Sequence, residues 1–75
     1  MLKPGDLVTY IPSHARGDRT HRDCEHGVVK RMAGNDAAFV VYWQPHYNRF
    51  NPTAQSTLMS QLVAREPMVF DKIEG

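Results

Sequence analysis

A β-hairpin is the feature of the sequence that most constrains the fold. Residues 37–43 form a near-continuous apolar run, and residues 27–32 before them have the composition of a partner strand. The connection between them, residues 33–36, contains Gly34 and Asn35, which tolerate left-handed backbone. No helical period of useful length occurs elsewhere in the chain, so the pattern favours an all-β fold.

Shorter strand patterns lie on either side of the hairpin. Residues 7–11 are β-branched and aromatic, residues 53–58 form a weaker pattern, and residues 62–65 form a short last one. Between the last two patterns, the Thr57 hydroxyl is expected to cap a single 3₁₀ turn over residues 58–61. The segment after the hairpin, residues 44–52, is rich in Asn and Pro and is interpreted as a long loop.

This order of elements resembles the SH3-like small β-barrel, which has five short strands, a long first loop and one 3₁₀ turn before the last strand. Residues 5–8, Gly-Asp-Leu-Val, are similar to the Gly-Asp-x-Val opening of such barrels. The resemblance implies an all-β, SH3-like five-stranded barrel over residues 1–66, with residues 67–75 as a tail packed on the barrel or on a partner. The implied interior positions are Val8, Tyr10, Val29, Val40, Tyr42 and Leu62. Three side chains of the third strand, Phe39, Val41 and Trp43, would face outward. The apolar residues of the tail, through which the chain could self-associate, are Met68, Val69, Phe70 and Ile73.

Two further resemblances concern origin and activity. The Gly-Asp-x-Val opening, Gly27-x-Val29 and Gln55 resemble the type II plasmid-borne dihydrofolate reductases, whose active strand reads Val-Gln-Ile-Tyr. Here Ser56 and Thr57 stand in place of that Ile and Tyr, so the resemblance extends to the barrel rather than to reduction. Residues 10–29 are similar to short phage and prophage proteins of unassigned function, which implies a phage setting.

Charge and cysteine content limit the class of protein. Nine Lys and Arg against eight Asp and Glu give a net charge of +1. This charge disfavours a protein that binds nucleic acid mainly through contacts with phosphate groups. The single cysteine, Cys24, rules out an internal disulfide and suits a reducing compartment. No apolar run reaches the roughly 18 residues of a membrane span. We therefore expect a protein of the bacterial host cytoplasm without a membrane partner.

The first loop, over residues 13–26, concentrates groups that bind metals. His14, His21, Cys24 and His26 supply imidazole and thiol donors, the ligands that zinc prefers. Their spacing matches no standard pair of zinc knuckles, and polar side chains of such a loop also bond their own backbone. A zinc-ordered loop is therefore an alternative reading, and no cofactor is expected.

Two segments are candidate partner-binding surfaces. Arg16, Arg19 and Arg22 recur at every third position of the first loop, beside His14 and His21. In the loop after the hairpin, Trp43, Tyr47 and Arg49 belong to the residue types enriched at binding hot spots.

A chain this short leaves little room for a catalytic cleft. The sequence thus predicts a non-catalytic binding module that acts on a host protein or a nucleoprotein complex. The alternative is a nucleic-acid-binding barrel that uses the arginines of the first loop. The predicted partner-binding residues are His14, Arg16, Arg19, His21, Arg22, Trp43, Tyr47 and Arg49.

Overall fold

A computed structural model describes residues 2–65, and within them the regular structure is all-β. The strands are β1 (Leu7–Tyr10), β2 (Glu25–Ala33), β3 (Ala37–Gln44), β4 (Arg49–Phe50), β5 (Gln55–Leu58) and β6 (Leu62–Ala64). Single 3₁₀ turns cover Ser13–Ala15 and Met59–Gln61. The all-β class is confirmed, and the expected 3₁₀ turn lies directly before the last strand.

The six described strands form one antiparallel sheet in the order β4-β3-β2-β1-β6, and β5 also pairs with β3. The predicted hairpin is β2–β3, which pairs from Gly27 opposite Tyr42 to Ala33 opposite Ala37. The last strand returns beside the first, with Tyr10 opposite Leu62. The number of strands is thus six rather than five among residues 2–65, and the described sheet is not closed into a barrel.

Alternation along the strands places one apolar set inside. The buried cluster consists of Val8, Val29, Ala38, Val40, Tyr42 and Leu62, and Tyr10 is half-buried against it. These include every interior position expected from the sequence. The Tyr42 hydroxyl shares a buried hydrogen bond of 2.7 Å with Thr57 Oγ1, which satisfies the polar end of the largest core side chain.

Three local expectations are wrong in detail. Thr57 does not cap the 3₁₀ turn: the capping position is Leu58, without a side-chain bond, because the Thr57 hydroxyl is engaged by Tyr42 and the Gln55 carbonyl. Residues 53–54 precede β5 rather than belonging to it. The segment expected as loop contains β4, which folds back on the end of β3 so that Phe50 pairs with Trp43.

The first loop begins and ends two residues earlier than expected, because β1 ends at Tyr10 and β2 begins at Glu25, which leaves residues 11–24 between them. Successive backbone turns hold it, with amide-to-carbonyl bonds that include Asp18 to Ala15, His21 to Asp18 and Cys24 to His21. Pro12 and Ala15 are its only buried residues. Polar bonds therefore order this segment, whereas apolar burial orders the sheet.

The predicted tail, residues 67–75, and its expected packing lie outside the described residues. Among residues 2–65 there is no helix long and apolar enough to cross a membrane.

Candidate functional site

The face of the sheet opposite the core carries a second apolar surface. Val8, Gly27 and Tyr42 form one cross-strand row that faces the core. Since side chains alternate along each strand, the adjacent rows face the other way. One of these rows is Leu7, Val28 and Val41, three half-buried apolar side chains in register on β1, β2 and β3. The outward position expected for Val41 and Trp43 is consistent with this register.

A cavity of about 470 Å³ opens on this face. It is lined by Leu7, His26, Gly27, Trp43, Phe50 and Arg65. The lining residues come from four strands and from the residue after β6, so the fold as a whole shapes the cavity. Its volume falls within the range typical of ligand pockets, and apolar and aromatic groups dominate its walls.

Two aromatic rings form one wall of this cavity. The Trp43 and Phe50 rings pack edge to face, with centroids 5.1 Å apart and planes at 76°. The pair exists because β4 folds back on β3 and sets these two residues opposite each other. Phe50 nevertheless remains 44% exposed, which is costly for a phenylalanine without a partner.

His26 supplies the imidazole of the cavity. Its Nδ1 shares a hydrogen bond of 2.9 Å with the hydroxyl of Thr9, its cross-strand neighbour on β1. Burial lowers the pKa of His26, and the nearby Arg65 guanidinium lowers it further. The ring is therefore neutral at pH 7, and Arg65 carries the positive charge of the cavity wall.

A separate polar cluster joins the two ends of the first loop. His14 Nε2 donates a hydrogen bond of 2.7 Å to Asp23 Oδ2, and the Asp23 amide donates one of 3.0 Å to His21 Nδ1. The two imidazole rings meet edge to face, with centroids 5.2 Å apart. The hydrogen bond from His14 lowers the pKa of Asp23, which keeps this carboxyl group ionised. One donor atom of each of the three residues lies within 4.8 Å of the others.

The four zinc donors expected from the sequence are not assembled. Cys24 donates its thiol hydrogen bond to the Asp18 carbonyl at 3.3 Å, and His26 lies on β2 at the cavity. Among the described residues, the potential metal-binding group comprises only His14, His21 and Asp23. Asp23 was not among the donors expected from the sequence, and its position two residues after His21 is the signal that could have found it.

The predicted arginines are distributed over different places. Arg16 ends the first 3₁₀ turn in left-handed backbone with φ 52°, while Arg22 is exposed. Arg19 lines a second cavity, between the first loop and the turn before β6. Arg49 lies over the ring of Tyr47, with the guanidinium carbon 5.5 Å from the centroid.

The two segments predicted to bind partners therefore contribute to different surfaces: Trp43 lines the cavity on the sheet, and Arg19 lines the one beside the first loop. Sequence reasoning missed the contributions of Leu7, Gly27 and Arg65 to the cavity. Only the strand register brings these three residues together.

Comparison with family models, with curated proteins and with solved structures finds no match to this chain. The geometry of these surfaces is thus the basis for a functional conclusion.

Proposed function

We propose that this chain is a non-catalytic protein-binding module of SH3-like architecture. The cavity on the outer face of its sheet binds an apolar side chain of a protein partner. The order of its elements supports the architecture: a long first loop, a hairpin, a 3₁₀ turn and a last strand paired with the first. The expected setting is a phage or prophage protein acting on a host protein.

The observation that carries the proposal is the wall formed by Trp43 and Phe50. Trp and Arg are enriched at binding hot spots, and the cavity combines Trp43 with Arg65. Filling it would remove the exposed part of Phe50 from water, which stabilises a complex by roughly 25 cal/mol for each Å² of apolar surface buried. The apolar row of Leu7, Val28 and Val41 lies on the same face and extends the contact surface.

A protein partner fits this surface better than a nucleic acid does. Binding to single-stranded nucleic acid combines a positive groove with open aromatic platforms. Here Tyr47 already has Arg49 over its ring, and Phe39 has Arg31 over its ring at 4.2 Å. The cavity, in contrast, is mostly apolar and lies apart from the cavity that Arg19 lines.

The test is a comparison of three immobilised forms of the chain in host lysate at physiological salt: wild type, Phe50→Ala and Tyr47→Ala. Tyr47 is the matched control: it is an exposed aromatic residue of the same β3–β4 hairpin, and it was expected from the sequence to bind the partner, but it does not line the cavity. Tyr47→Ala therefore separates binding at the cavity from binding along the whole segment. We expect wild type and Tyr47→Ala to retain the same protein, and Phe50→Ala to retain it about tenfold more weakly, as for a residue at a binding hot spot.

Direct contact is then measured with the purified partner. Trp43 is the only tryptophan of the chain, so its fluorescence reports on the cavity without a label. Occupation of the cavity by an apolar side chain should shift its emission to shorter wavelength. Equal retention by Phe50→Ala, or an unchanged Trp43 spectrum at saturation, would contradict the proposal. Capture that nuclease abolishes and that falls steeply with salt would instead support the nucleic-acid alternative.

A further inference from the structure

The polar cluster of the first loop has a geometry that the protein-binding proposal does not use. We propose that His14, His21 and Asp23 form a binding site for a divalent transition-metal ion of the zinc type. This inference is independent of the cavity, since none of the three residues lines it. It also replaces the donor set expected from the sequence, which included Cys24 and His26.

The distances within the cluster are close to those of a metal site. With Zn–N and Zn–O bonds of about 2.0–2.2 Å, two donor atoms of a tetrahedral site lie about 3.4 Å apart. In the loop, Asp23 Oδ2 is 2.7 Å from His14 Nε2 and 4.0 Å from His21 Nδ1, so the two separations bracket that value. Shifts of under about 1 Å would bring the three donors to bonding positions around one ion.

The protonation pattern of the cluster also suits a metal. Because His21 Nδ1 accepts the Asp23 amide hydrogen, this nitrogen carries no proton, and its single lone pair would bind the metal in place of that hydrogen bond. Neutral His14 would bind through Nε2 after its proton moves to Nδ1, so no net proton is lost. Two neutral imidazoles and one carboxylate suit Zn²⁺ and its neighbours, and water completes the coordination at this exposed position.

The position of the cluster gives the metal a structural consequence. His14 lies in the 3₁₀ turn at the start of the first loop, and Asp23 lies two residues before β2. A shared ion would therefore join the two ends of a segment in which Pro12 and Ala15 are the only buried residues. Because the three donors meet only in the folded loop, binding of the ion would stabilise the folded form.

The test is a Zn²⁺ titration of the untagged, chelator-treated chain against a chromophoric chelator at pH 7.5. Wild type should bind one equivalent. His14→Ala, His21→Ala and Asp23→Asn should each weaken binding at least tenfold, the lower end of the cost of losing a supporting partner of a metal ligand. The matched controls are Cys24→Ser and His26→Ala, which change the two donors outside the cluster and should bind as wild type does.

Two further measurements separate the possible outcomes. Zn²⁺ should raise the melting temperature of wild type and of Cys24→Ser but not of Asp23→Asn, which also shows that each variant folds. Bound Co²⁺ should show ligand-field bands without a thiolate charge-transfer band. A thiolate band that Cys24→Ser removes would overturn the proposal in favour of the donor set expected from the sequence. Binding weaker than about 1 mM, or equal binding by all variants, would overturn it altogether.

Discussion

The sheet and the first loop are held together by different kinds of interaction. In the sheet, Val8, Val29 and Val40 are almost completely buried and cross-strand pairing fixes their positions. The first loop, residues 11–24, runs through successive backbone turns and carries its longest side chains on the surface. The sheet therefore depends on apolar burial, and the loop depends on local polar bonds.

This difference separates the two proposed activities. The cavity on the sheet consists of side chains that the strand register holds rigidly, which suits recognition of a shape. The loop cluster consists of exposed or half-buried polar side chains that bond to one another, which suits a ligand that selects its own geometry. Substitutions in the buried core of the sheet should therefore lower stability strongly, whereas substitutions of exposed side chains in the loop should lower it less.

The largest expected difference between the regions concerns the core. Val40→Ala removes two methyl groups from a fully buried position, so it should lower the free energy of unfolding by about 2–3 kcal/mol. Thr20→Ala in the first loop removes only an exposed hydrogen bond of 2.7 Å to Asp18, so it should lower the free energy of unfolding by about 0.5–1 kcal/mol. Urea unfolding of both variants measures the contrast. Similar losses of unfolding free energy in the two variants would show that the loop and the sheet depend on one shared core.

The contrast also explains what the sequence could predict of the fold. Alternation within residues 37–43 and the β-branched residues of β1 and β2 carry the burial pattern, so the hairpin and the interior positions were predictable. The two-residue strand β4 was not, because Arg49 and Phe50 have no pattern of their own. Their pairing with Trp43 and Gln44 is a tertiary contact.

The next effect concerns two glycines, one in each region. A Cβ on Gly27 would lie 2.6 Å from the Val41 carbonyl oxygen, so Gly27→Ala should force the hairpin apart at a cost of about 1–3 kcal/mol. Gly17 in the loop has open space around it and φ +81°, so Gly17→Ala meets only backbone strain, of about 1 kcal/mol. Thermal unfolding of the two variants checks the order. A larger loss for Gly17→Ala would mean that the β2–β3 hairpin relaxes more easily than its register indicates.

The same reasoning shows why the sites were only partly predictable. Trp43 was recognisable by residue type, but Leu7, Gly27 and Arg65 join it through strand register alone. In the loop, the sequence indicated that donors are concentrated there but not which of them meet. The choice of Asp23 over Cys24 depends on the turn at His21, where the Asp23 amide donates a hydrogen bond to the His21 ring and the Cys24 amide donates one to the His21 carbonyl.

A smaller effect is expected at the polar end of the core. Tyr42→Phe removes the hydrogen bond of 2.7 Å to Thr57 and should cost about 0.5–1.5 kcal/mol. Thr57 retains its weaker bond of 3.4 Å to the Gln55 carbonyl, which limits the loss. Burial raises the pKa of Tyr42, so wild type should also lose stability as the pH rises above about 10, where the unfolded chain ionises first. Tyr42→Phe should lose less in that range, and an identical alkaline decline in both proteins would contradict this assignment.

The smallest effect concerns the dependence of stability on pH. The ionisable groups of the sheet and those of the first loop should contribute to it in different pH ranges. Burial lowers the pKa of His26 below its ordinary value of 6.5, so the unfolded chain binds a proton there before the folded chain does. Stability should therefore fall as the pH drops below about 6.5, until the folded imidazole is protonated as well. In the first loop, hydrogen bonds lower the pKa of Asp18 and Asp23 below 3.8, so their contribution is lost only as the pH falls below that value.

His26→Gln isolates the contribution of the sheet, because glutamine offers the Thr9 hydroxyl a hydrogen-bonding side chain that does not titrate. The free energy of unfolding, measured in urea from pH 4.5 to 8, should decline more steeply on acidification in wild type than in this variant. Asp23→Asn should keep the wild-type slope over the same range, since Asp23 titrates at lower pH. If His26→Gln leaves the slope unchanged and Asp23→Asn reduces it, the loop rather than the sheet responds to mild acid, and the division between the two regions fails.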